Sequence, residues 1–236
     1  MSRSGYSRQV TFSPRFAVFA AIAGAVIGIL LTPPMAAVWA YDPPLSSWET
    51  MTWVERTFGP ALESAGALSF GRADLGPYEF YGKGFFLVYL GMVPITWLVH
   101  QRFRKAGGHS RWELWTWRVM WVSLVVAAVG DFASYWGVSL PGAVGEGLWS
   151  GGFGVEMLAT AALLVSTTLY GALSLKLRIA PVWASILLIA VIPLAAVTLG
   201  NVVAYIPNGY AVPLSLVWAA ISVWLVLQAQ EAVAPA

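Results

Sequence analysis

Six apolar runs, at roughly 16 to 40, 80 to 99, 113 to 138, 149 to 174, 180 to 205 and 211 to 228, limit how this chain can fold. A helix rises about 1.5 Å per residue, so about 20 apolar residues cross the ~30 Å hydrocarbon core of a bilayer. Runs of this length leave no route but the α-helix, because backbone polar groups cannot go unpaired in lipid. The expected fold is an all-α integral membrane protein: a six-transmembrane-helix bundle forming a single polytopic domain over 1–236. Composition agrees, with 58% hydrophobic and only 10% charged residues, against about 25% charged in an ordinary soluble domain.

The charges between the runs set an orientation. Arg3, Arg8 and Arg15 precede the first run; Arg102, Arg104, Lys105 and Arg111 separate the second from the third; Lys176 and Arg178 separate the fourth from the fifth. Arg118, a turn or two into the third run, can snorkel to the same side. Only Arg56, Arg72 and Lys83 belong to the other side. By the positive-inside rule both termini are cytoplasmic, in a multi-pass protein of the cell membrane. The segment 42 to 79 then faces outward. Its SSWETMTWVERTF portion starts with serines and spaces Trp48, Met51, Trp53 and Phe58 so that a short surface helix is expected there, or else a capping loop. A basic start, an apolar stretch and VWA before Tyr41 imitate a signal peptide, but the apolar stretch is longer than a signal core, and a retained helix is the expectation.

Several chemistries are excluded by residue type. Cysteine is absent, which removes disulfides, thiolate catalysis and iron–sulfur or thiolate zinc sites. His100 and His109 are the two histidines, both in the polar stretch HQRFRKAGGHSR, so a haem held by histidines from two helices is not expected. The glycines at 145, 147, 151, 152 and 154 lack the basic neighbours of a phosphate cradle and read as close helix packing. No nucleotide-binding, zinc-protease or nucleophile-elbow spacing occurs. The expectation is no cofactor, no metal and no nucleic acid. The basic residues are accounted for by topology, and the expected partners are membrane lipids and a hydrophobic small-molecule substrate, with the 42 to 79 loop as the candidate surface for a membrane-protein partner.

Against this apolar background two acids stand out: Asp131 in the third run and Glu156 in the fourth. A carboxylate at membrane depth is costly and marks a candidate site. The two runs are joined by the turn-rich LPGAVGEG at 140 to 147, whose midpoint is nearly equidistant from both acids. Counted from the outer face, Asp131 sits roughly 12 Å deep and Glu156 about 10 Å. Two carboxylates in one low-dielectric site repel, so at least one is expected to hold a proton. Lys83 is the nearest cation, and Glu79 competes for it.

Around the acids, Tyr135 follows Asp131 by one turn and Thr160 follows Glu156 by one turn. Asn201 and Tyr205 come from the outer end of the fifth run, and Trp136, Trp149 and Phe153 flank the outer hairpin. Catalytic roles are expected for Asp131, Glu156 and Tyr135, with the other six lining a substrate pocket. The leading expectation is an acid–base enzyme, of isomerase, hydratase or cyclase type, acting on a lipid or isoprenoid. Alternatives are a proton- or cation-coupled transporter with Pro193 and Pro213 as hinges, and a non-catalytic subunit or assembly factor of a membrane complex.

Overall fold

The structure, a computed structural model, describes residues 12–41, 81–105, 110–201 and 207–231. These residues are all-helical, with no strand among them. The helices are α1 (Pro14–Tyr41), α2 (Phe86–Lys105), α3 (Arg111–Gly137), α4 (Gly142–Leu177), α5 (Val182–Ile189), α6 (Val191–Asn201) and α7 (Ala211–Glu231). Three stretches are long and apolar enough to cross a membrane: Pro14–Thr32, Arg111–Gly137 and Gly142–Leu177. The expected surface helix and docking loop at 42 to 79, with Glu79, lie outside the described residues.

Burial in this bundle runs opposite to that of a soluble protein. Phe19, Val129 and Leu158 are 71%, 61% and 77% exposed, whereas Asp131 is 0% and Glu156 1% exposed. A surface of bare aliphatic and aromatic side chains around a partly polar interior suits lipid as the surrounding solvent. The arrangement is compatible with a membrane location.

The chain's own breakers explain where the helices depart from the expected runs. The fourth run was expected to start near 149 after a long turn-rich stretch, but α4 starts at Gly142 and the connection shrinks to 138–141. Gly142 enters the helix with φ 65, and a Cβ on Gly145 would sit 2.1 Å from the Leu140 carbonyl oxygen, so glycine permits the tight reversal. The fifth run was expected as one helix, but it divides at Ala190 into α5 and α6. Pro193 causes the division, because a proline ring clashes with the carbonyl four residues earlier, here that of Ile189. Pro213, expected to punctuate the sixth run, instead lies in the first turn of α7, where its missing N–H has no helical partner to lose.

The most extensive helix–helix contact is between α3 and α4, an antiparallel hairpin. Each helix buries one stripe at spacings of three or four residues: Glu113, Trp117, Met120, Leu124, Ala127, Asp131 and Ser134 on α3, and Gly152, Glu156, Ala159, Leu163, Ser166, Tyr170 and Ser174 on α4. This is the seam of left-handed antiparallel packing. Helix α2 packs on α3, and α1 bridges α2 and α7. Gly24 and Gly91 let α1 and α2 approach closely, since a Cβ on Gly91 would lie 2.5 Å from the Ala20 carbonyl oxygen.

Candidate functional site

Asp131 on α3 and Glu156 on α4 occupy matching positions of the two buried stripes, which sets their carboxyls beside each other in the seam. Two carboxylates are acceptors only, so a direct hydrogen bond between them needs a shared proton. Asp131 lies about 9 Å along the helix axis from the end of α3 at Gly137.

Helix α2 supplies the third member. The Tyr89 hydroxyl donates to Glu156 Oε1 at 3.1 Å and shares a second hydrogen bond, 3.0 Å, with Thr160 Oγ1. A phenol has one proton. With that proton committed to Glu156, Thr160 becomes the donor to the Tyr89 oxygen. The result is a chain from Thr160 to Tyr89 to Glu156 and on to Asp131, with every member buried. The Tyr89 hydroxyl both accepts and donates, which is the arrangement along which a proton passes by exchange rather than by diffusion.

The expected site residues separate into three groups. Asp131, Glu156 and Thr160 come together as described. Tyr135 is buried on the hairpin-tip side of the pair with its ring against the backbone of Gly82, where a Cβ would overlap it. The aromatic candidates lie elsewhere. Trp136 is turned about 140° from Asp131 around α3; it is half-exposed, stacks on Phe132 and donates Nε1–H to the Lys83 carbonyl at 3.0 Å. Trp149 and Phe153 stack on each other on α4 beside the last turns of α3, with Trp149 exposed and Phe153 half-buried. Asn201 is the last residue of α6, and Tyr205 lies outside the described residues.

Lys83, the nearest cation expected from the sequence, is engaged elsewhere. Its ammonium donates to Ser139 Oγ at 2.7 Å and lies 5.4 Å from the centroid of the Trp136 ring.

A cavity of about 390 Å³ opens at the hairpin tip, lined by Val138, Leu140, Gly145, Glu146 and Trp149 among others; neither acid lines it. At the level of the acids α3 and α4 are in backbone contact. A Cβ on Gly130 would lie 2.7 Å from the Glu156 nitrogen, and one on Gly152 2.5 Å from the Ser134 nitrogen. Ser134 Oγ completes the contact by donating to the Trp149 carbonyl at 3.3 Å.

A second buried ionisable pair sits at the other end of the hairpin. His100 Nδ1 is 2.8 Å from Glu113 Oε1, with both side chains almost fully buried, and the imidazole stacks on Trp117 at 3.9 Å. Sequence reasoning left His100 in a polar connecting stretch, but α2 continues to Lys105 and turns His100 inward. The aromatic crowd beside it divides: Trp112 and Trp115 face outward, while Trp117 and Trp121 pack inward with Trp97. Arg118 is exposed and lies over the Trp115 ring.

Tyr89, His100 and Glu113 were missed for different reasons. Tyr89 is a polar residue at span depth in FFLVYLGMV, a signal that could have found it. Glu113 stands in the first turn of a helix, where the macrodipole favours any carboxylate, so its position drew no attention. No family model, curated protein or solved structure matches this chain.

Proposed function

We propose that this chain is a multi-pass protein of the cell membrane that moves protons through its interior, as a proton-coupled transporter does, with Asp131 and Glu156 as the intramembrane exchange site. The observation that carries the reading is the buried pair of acids inside the α3/α4 seam, extended through hydrogen bonds by Tyr89 and Thr160. A proton needs hydrogen-bonding groups and no cavity, whereas a bound small molecule needs roughly 300–1,000 Å³ of concave space. The Gly130 and Gly152 backbone contacts close the hairpin beside the acids. An acid–base enzyme acting on a lipid or isoprenoid would use the same two acids. It would require α2 to withdraw from the hairpin to admit its substrate, which ranks it second.

In the proposed topology there are six passes: α1, α2, α3, α4, the α5–α6 pair and α7, with both termini cytoplasmic. Support comes from the basic residues, since Arg102, Arg104 and Lys105 at the end of α2, Arg111 at the start of α3 and Lys176 at the end of α4 share one end of the bundle. The test is proton movement into proteoliposomes under an imposed potassium diffusion potential, followed with an internal pH dye. Faster internal pH change than in protein-free vesicles is expected, with at least a ten-fold loss in Asp131→Asn and in Glu156→Gln. Equal flux in both variants and the parent would sink the proposal.

A further inference from the structure

We infer that His100 and Glu113 form a second proton-exchange station, joined to the Asp131–Glu156 pair by hydroxyls along the buried stripe of α4; the inference rests on the proton-moving reading above. The two stations are eighteen residues apart on α3, or about 27 Å at 1.5 Å per residue, close to the ~30 Å thickness of the hydrocarbon core. They therefore stand near opposite edges of one slab, on one face of one helix.

The station is built rather than incidental. The carboxylate of Glu113 holds Nδ1 of His100, and an imidazole fixed in this way keeps Nε2 as its exchanging atom. A glutamate serving only the helix terminus would sit in water, whereas Glu113 is buried against α2. The groups facing the pair are, from α3, Trp117 with its stacked ring and, from α4, the buried Tyr170 close to Glu113. Phe103 stacks on Tyr170 at 5.4 Å and holds it there. The remaining charges nearby are Arg102, Arg104 and Lys105 on α2, Arg111 on α3, and Lys176 and Arg178 after Tyr170; all are exposed.

Between the stations, polar groups persist where apolar ones would pack better. Tyr170 Oη and Thr167 Oγ1 are buried without a hydrogen-bond partner among the described residues, as are the Nε1 atoms of Trp97, Trp117 and Trp121. Each such group is costly relative to a satisfied or apolar one. Five in one stretch mark it as a place where polarity is kept for use. From Thr167 to Thr160 the α4 stripe carries Leu163, a gap of about 10 Å that bridging water must span.

The transfer balances at each atom. An incoming proton makes the imidazolium of His100; its release returns neutral imidazole while Tyr170, Thr167 and Thr160 each accept one proton and give up another. Tyr89 passes the proton to the carboxyl pair, which then holds one more. No electron moves and no covalent bond between heavy atoms forms or breaks.

The experiment uses the full chain in pyranine-loaded proteoliposomes with valinomycin and a potassium gradient. His100→Gln keeps an amide donor within reach of Glu113, and Glu113→Gln keeps an acceptor, so both are checked for parental thermal stability before use. Both are expected to slow proton flux at least ten-fold. Arg104→Gln is expected to match the parent. Flux at the parental rate in both His100→Gln and Glu113→Gln, with Asp131→Asn still inactive, overturns the second station and leaves the acid pair standing. Loss in His100→Gln with full flux in Asp131→Asn overturns the shared path. Parental flux no faster than in protein-free vesicles overturns station and pair together.

Discussion

Gly130 and Gly152 bring α3 and α4 into backbone contact directly beside the acid pair: a Cβ on Gly152 would lie 2.7 Å from the Gly130 carbonyl oxygen and 2.5 Å from the Ser134 nitrogen. Because the obstructing atoms are backbone, neither side can yield by changing a rotamer. The separation of the helices, and with it the carboxyl contact, depends on the absence of two side chains.

Gly152→Ala is therefore expected to destabilise the protein by about 1–3 kcal/mol, the range for overpacking a close interface. Gly151→Ala, at a position where a Cβ meets nothing within 4 Å, should be neutral or stabilising by up to about 1 kcal/mol through helix propensity. Thermal unfolding of the two variants in one detergent makes the comparison, and equal midpoints would refute the close-contact account.

Tyr89→Phe removes the donor to Glu156 Oε1 and leaves Thr160 without its phenol partner. A loss of about 1–3 kcal/mol follows for a buried acceptor deprived of its donor. Thr160→Val, which removes the outer link alone, should cost less. A denaturant titration in which Thr160→Val is the worse of the two would show that Tyr89 does not order the site.

The double variant Asp131→Asn, Glu156→Gln tests whether the pair is kept for stability or for chemistry. Replacing a buried ionisable pair by neutral groups is often neutral or stabilising, so the parental unfolding midpoint is expected to be retained while proton flux is lost. Infrared spectra provide a second measurement. A protonated carboxyl band that shifts in deuterium oxide is expected in the parent and should be absent from the double variant.

Lys83→Met tests whether the cation nearest the acids in sequence acts on them. Since its ammonium binds Ser139 and lies over Trp136 at a partly exposed position, the substitution should change stability by less than about 1 kcal/mol. Flux in the same vesicle assay should be unchanged. A loss as large as that in Asp131→Asn would place Lys83 in the site.

The level of Asp131 and Glu156 was readable because depth in a hairpin depends on residue count, and their places about the connection survive even though α4 starts seven residues before the expected 149. The identity of their neighbours was not readable in the same way. Each residue adds about 100° of rotation around a helix, and in a soluble protein a polar face would show which direction is outward. Here lipid and interior are both apolar, so the sequence of α3 offers no such marker. Trp136 was expected beside Asp131, although it faces away.

Hydropathy sums over neighbouring residues, and for that reason the sequence alone determined the all-helical, membrane-compatible class, the acidic pair and the end of the bundle that gathers the basic side chains. Which helix completes the site was decided only by tertiary structure. Tyr89 is separated by 67 positions from Glu156, and His100 by 13 from Glu113. Such pairs arise from the way α2 packs into the α3/α4 groove, and packing depends on the shapes of all three helices at once.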